Sequence, residues 1–167
     1  MGLGALERQQ SGLSRARSRG IIYNTRVAPG IALDTSVLLA GLQSRRGASF
    51  KVLSLIGTGA FRLALSVPLA FEYEEAAKRG ARRLGLSYKD VDDVVDYLCR
   101  VADRRKIFFL WRPFLRDPDD DLVLELAVEA GCAYIVTHNL RDFEGVERFG
   151  LRAVTPKLFL DIIGGNP

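Results

Sequence analysis

Residues 30–37 read Gly30-Ile31-Ala32-Leu33-Asp34-Thr35-Ser36-Val37, a short apolar run that stops on an acid followed by two hydroxyl residues. Consecutive apolar residues without polar alternation suit a strand covered on both faces, as in a parallel sheet. Thr35 and Ser36 are placed to cap a helix that continues through Val37, Leu38 and Leu39. The acid at the junction is costly: a carboxylate directly after a buried strand loses hydration unless something positive compensates it.

The same strand-then-helix alternation repeats along the chain. A second helix is expected over residues 48–56, closing at Gly57 and Gly59, then a strand over 61–67 with Pro68 in the first turn of the next helix. Ser87 and Asp90 open a helix whose apolar residues Val91, Val94, Val95, Leu98 and Val101 keep helical spacing. Residues 107–110 read as a third strand, and 119–130 as a helix ended by Gly131. Strands follow over 133–136 and 151–154, with Thr155 and Pro156 starting a terminal helix. Five strands alternating with helices predict an α/β fold, a parallel sheet between two helical layers. No G-x-G-x-x-G follows the first strand, which disfavours a dinucleotide or other nucleotide cofactor.

The chain has 167 residues, 48% of them apolar, enough for one core. Residues 1–29 are rich in Gly, Ser, Arg and Gln without an apolar period and read as a flexible basic extension, leaving 30–167 as the single folded domain. The net charge of +4 lies entirely in that first segment: Arg8, Arg15, Arg17, Arg19 and Arg26 oppose one acid, Glu7. The remainder balances at nineteen basic against nineteen acidic residues, so nucleic-acid binding has to be argued from local charge and not from the isoelectric point. Cys99 and Cys132 sit among apolar neighbours and read as buried, reduced thiols, too few for a disulfide framework. No apolar run is long enough to cross a bilayer and none follows the polar N-terminus, so a cytoplasmic protein is expected, with no membrane partner.

The acids converge when placed on this frame. Asp34 ends the first strand, Glu72 lies in the helix after the second, Asp117 to Asp121 precede or begin the helix after the third, and Asn139 and Asp142 follow the fourth. All therefore sit at the carboxyl edge of a parallel sheet, where open α/β folds place their sites. Taken singly, Asp117, Asp119 and Asp121 are ordinary helix-capping acids, and Asn139 with Asp142 an ordinary turn. Glu74 and Glu75 have Lys78 and Arg79 one turn on, whereas Glu72 has Ala76 and no such partner. Clustered carboxylates repel by roughly 4 kcal/mol per pair at about 4 Å and an effective dielectric near 20. A divalent cation with oxygen ligands, Mg²⁺ or Mn²⁺, resolves that strain, and the single His138 and scattered cysteines offer zinc no ligand set. Such a cation suits phosphodiester cleavage without a histidine base.

These residues resemble the PIN domain family, in particular its toxin branch, often described as VapC-like. The resemblance rests on five stretches in order: Leu33-Asp34-Thr35-Ser36-Val37; Ser66-Val67-Pro68-Leu69-Ala70-Phe71-Glu72-Tyr73; Arg116-Asp117-Pro118-Asp119-Asp120-Asp121; Val136-Thr137-His138-Asn139; and Thr155-Pro156-Lys157-Leu158-Phe159-Leu160. It implies a three-layer α/β/α sandwich with sheet order 3-2-1-4-5, a Mg²⁺- or Mn²⁺-dependent ribonuclease acting on single-stranded RNA, a cognate antitoxin protein and a homodimer. By position, Asp34, Glu72 and Asp120 become catalytic acids and metal ligands, with Asp117, Asn139 and Asp142 as further ligand candidates. Thr35, Ser36 and Thr137 become supporting hydroxyls. Asn139 stands where many members carry Asp, which lowers the charge of the site and leaves a non-catalytic module binding RNA or a protein as the alternative. For RNA contact, Arg45, Arg46 and Arg141 are the expected cations. A receiver-type domain phosphorylated on Asp34 would share the architecture but leave Glu72 and the run Asp117 to Asp121 without a role.

Overall fold

The computed structural model describes residues 27–108 and 113–164. The expected basic extension lies outside these residues except for its last three positions. Strands β1 (Gly30–Leu33), β2 (Arg62–Ser66), β3 (Asp103–Arg105), β4 (Tyr134–Val136) and β5 (Arg152–Val154) form one parallel sheet in the order β3-β2-β1-β4-β5. The helices are α1 (Thr35–Gln43), α2 (Ala48–Ser54), α3 (Val67–Leu84), α4 (Tyr88–Val101), α5 (Pro118–Glu129) and α6 (Pro156–Ile162). Two 3₁₀ turns, Leu140–Phe143 and Val146–Phe149, connect β4 to β5. Sequence and structure agree on the fold class and on the sheet order.

Central β1 shows why the sheet is sandwiched. Ile31, Ala32 and Leu33 are all fully buried, so helices must cover both faces. Helix α5 lies against β1, β2 and β4, while α1 packs on α2 and α3, α3 on α4, and α2 on α6. Phe159 of α6 anchors the far side, its ring 5.3 Å from that of Phe61 and 5.8 Å from that of Tyr134, both edge-on. Helices α1 and α2 approach closely because residue 41 is glycine: a Cβ there would stand 2.5 Å from Leu53 Cδ1.

Local chemistry sets the helix ends. Ser66 caps α3 by accepting from Leu69 N, and Pro68 occupies its first turn. Gly85 ends the helix at φ +68, a conformation that penalises any Cβ. Ser87 and Asp90 form a reciprocal capping box at the start of α4. Lys78 on α3 bonds both Glu74 (2.5 Å) and Asp92 (2.7 Å) and so ties α3 to α4.

Three expectations are corrected. The third strand is Asp103–Arg105, not 107–110; Ile107 and Phe108 have no regular structure, and 109 and 110 lie outside the described residues. Strand β3 is the sheet edge, where charged residues are tolerated and discourage further pairing, and Arg62 of β2 draws Asp103 to 3.5 Å. The N-cap of α1 is Asp34 itself and not Thr35 or Ser36, which are already helical. Of the two cysteines only Cys132 is buried; Cys99 is half-buried.

Candidate metal and active site

The chain visits β1, β2 and β3 in one direction from the centre, then crosses to β4 and β5 on the other side. The switch point lies between β1 and β4, where helices leave in opposite directions and open a crevice at the carboxyl ends of the strands. Asp34 and Thr137 are the first residues past those two strands. Asp34 N donates to Val136 O at 3.0 Å, extending the ladder to its last rung. The buried Asp34 carboxylate makes no capping bond to its own helix. Its Oδ2 instead accepts from Thr137 Oγ1 at 2.7 Å and Ser36 Oγ at 2.5 Å. Thr137 Oγ1 accepts in turn from Asn139 N at 2.9 Å, so one fully buried hydroxyl couples the acid to the loop that bears Asn139 and Asp142. Thr35 stands half-buried beside this group.

Asp120, half-buried in the first turn of α5, faces the same crevice. Its carboxyl is pushed up to about 7, by burial first and then by the charges of Asp34, Asp117, Asp142 and Asp119. Glu72, on α3, is shifted in the same direction by burial first and then by Asp119, Glu75 and Asp117, with Arg79 opposing them. The structure therefore brings Asp34, Asp117, Asp119 and Asp142 within electrostatic reach of Asp120, and Asp119 and Asp117 within reach of Glu72. As the side chains stand, no three carboxylates among the described residues are disposed to grip one ion.

The run at α5 divides its labour. Asp117 is the N-cap and accepts from Asp119 N at 3.0 Å. Asp121 is 1% exposed and turned inward, accepting from Leu115 N at 2.9 Å and Phe114 N at 3.4 Å. It fastens the incoming loop, and Glu125 one turn later is buried as well. Arg45 and Arg46 stand exposed in the α1–α2 turn, and Arg141 in the first 3₁₀ turn. None of the three is in an ion pair among the described residues.

Sequence reasoning missed two supports. Tyr73, wholly buried, donates from its hydroxyl to Leu33 O directly behind Asp34. Burial and the Asp34 charge hold its phenol well above the ordinary range. Ser49, buried at the start of α2, hydrogen-bonds His138 Nε2 at 2.8 Å, a pairing across 89 positions that no local pattern signals.

Comparison with known proteins agrees with this arrangement. No curated protein matches the sequence significantly. Among solved structures the fold is similar to VapBC-1 from nontypeable Haemophilus influenzae, at 17% identity and TM-score 0.53 over 77% of this chain and 98% of that one. It is similar to DNA-bound VapBC from Salmonella typhimurium, at 17% identity and TM-score 0.55 over 77% and 98%. It also resembles VapBC2 from Rickettsia felis bound to a promoter DNA fragment, at 11% identity and TM-score 0.52 over 75% and 98%. At such identities the likeness is one of fold. The family assignment comes from the sequence, since residues 31–141 match the family model described as PIN domain. That span runs from β1 through the loop after β4 and includes every acid of the crevice except Asp142; with more than half the chain matched, the protein belongs to the PIN domain family.

Proposed function

We propose that this protein is a metal-dependent endoribonuclease that hydrolyses single-stranded RNA, and the toxin of a toxin–antitoxin pair. The carrying observation is the surroundings of Asp120: the four charges that act most strongly on it are all carboxylates, brought from three strand ends to one crevice. An all-oxygen, net-negative set of side chains suits a hard divalent cation, and Mg²⁺ or Mn²⁺ matches its ligand type. Asp34, Glu72 and Asp120 would hold it, with Asp117, Asn139 and Asp142 supplying further oxygens. Such a cation neutralises phosphate charge and makes water more acidic.

The chain's own residues preorganise the rest. Ser36 and Thr137 fix the Asp34 carboxylate through Oδ2, so its plane does not rotate when a ligand arrives. Tyr73 and Val136 hold the carbonyl and the N–H of the peptide group that leads into Asp34. Arg141, beside Asn139 and without an ion pair among the described residues, is available to a phosphate. The likeness in fold to the VapBC structures supports an antitoxin as the protein partner here.

The test is single-turnover cleavage of a single-stranded RNA with EDTA and with Mn²⁺ restored, for the unmodified protein and for Asp34→Asn. Cleavage that needs Mn²⁺ and vanishes in the variant supports the reading; metal-independent cleavage or full activity in the variant rejects it. Asn139, an amide where a carboxylate would add charge, favours a second reading, a catalytically silent module. Absence of saturable Mn²⁺ binding would select it.

A further inference from the structure

We infer that the cleft between α1 and α3 is a track for the RNA backbone, in which Arg79 and Arg83 bind successive phosphates of the strand leading away from the acids. The inference rests on the nuclease reading and names where that substrate lies.

The cleft, about 330 Å³, is lined by Leu39, Ala76, Arg79, Gly80 and Arg83. Its two walls begin at the candidate site, because α1 starts immediately after Asp34 and α3 carries Glu72 in its second turn. At 3.6 residues per turn, Arg79 lies about 20° to one side of Glu72 around α3 and Arg83 about 20° to the other. All three therefore share one stripe. Along the axis Arg79 is about 10 Å from Glu72 and Arg83 about 6 Å further, a step comparable to the spacing of neighbouring phosphates in an extended strand. Ala76 and Gly80, about 40° and 80° round the helix on the Arg83 side, line the cleft with small residues that leave room for a backbone.

Charge along α3 is distributed to match. Lys78 is engaged by Glu74 and Asp92 on another side of the helix. Arg79 touches Glu75 at 3.1 Å, but both side chains are mostly exposed, and such a pair is readily exchanged for a phosphate. Arg83 is in no ion pair among the described residues. With the domain neutral as a whole, Arg79 and Arg83 place their positive charge at the end of this stripe away from Glu72. Arg82, about 80° from the Glu72 line on the side away from Gly80 and not among the residues lining the cleft, is off the track and serves as control.

The test is fluorescence anisotropy of a labelled single-stranded RNA in EDTA, which removes cleavage, across a salt series, with thermal melts confirming that each variant folds. Each phosphate that an arginine no longer neutralises reduces the slope of log affinity against log salt by about 0.7 for a single strand. Arg79→Gln combined with Arg83→Gln should reduce the slope by about 1.4 and weaken binding at low salt about tenfold, while Arg82→Gln leaves both unchanged. An unchanged slope in the double variant, an equal loss in Arg82→Gln, or no RNA binding by the unmodified protein overturns the track. Failure of metal-dependent cleavage with the slope change intact would overturn the nuclease reading alone.

Discussion

Replacing Asp120 with asparagine should make the metal-free protein more stable while removing its activity. The Asp120 carboxyl is pushed up to about 7 because burial and four neighbouring carboxylates oppose its charge. The folded protein thus holds this proton more tightly than the unfolded chain, whose carboxyl keeps an ordinary value near 3.9. Below about pH 4 both states are protonated and the group has no effect; between about 4 and 7 stability falls, and above 7 the full penalty applies. A rise of that size corresponds nominally to about 4 kcal/mol, but the side chain is only half-buried, and solvent screening reduces this to about 1–2 kcal/mol. Asparagine also forgoes the attraction between a carboxylate and the α5 N-terminus, about 0.5 kcal/mol.

The net expectation is a stabilisation of about 1 kcal/mol at pH 8, or about 3 °C in Tm, shrinking to nothing or slightly reversing at pH 4.5. Urea denaturation in EDTA at both pH values measures it. A variant less stable than the parent at pH 8, or equally stabilised at both pH values, would refute the electrostatic account. Adding Mn²⁺ at about a hundred times its Kd should raise the stability of the parent by about 2.7 kcal/mol and the variant by clearly less.

The neighbouring acid should behave in the opposite sense. Asp121→Ala strips the buried N–H of Leu115 and the part-buried N–H of Phe114 of their acceptor and should cost about 2–3 kcal/mol in urea denaturation, with little of the metal response lost. Thr137→Val, nearly isosteric, removes the hydroxyl shared by Asp34 and Asn139 N. It should cost about 1–3 kcal/mol and reduce single-turnover cleavage at saturating RNA; unchanged cleavage would show that the Asp34 carboxylate needs no such restraint.

The legible parts of this fold were those written in short windows. The buried run before Asp34, the capping pair Ser87 and Asp90, and the acids one turn before Lys78 and Arg79 each carry their reason within a few residues. The carboxyl-edge placement of the acids followed from alternation alone, since every one comes after a strand. What escaped was decided by partners far away in the chain. Residues 107–110 had the apolar content of a strand, but an edge strand pairs on one side only, and Asp103, opposite Ala64 and 3.5 Å from the Arg62 guanidinium, fits that position better. Asp117, Asp120 and Asp121 are indistinguishable as letters. The helix turns them about 100° per residue, and the loop amides of Phe114 and Leu115 decide that Asp121 points inward. Ser49 and His138, or Tyr73 and Leu33, meet only because the sheet order brings β4 and α3 against β1. The acid most readily found by its motif, Asp34, is thus held by groups that its motif only partly contains: Ser36 lies two positions on, but Thr137 is 103 positions away. The family stretches mark where the chemistry sits, and the long-range hydrogen bonds determine whether those side chains are aimed to perform it.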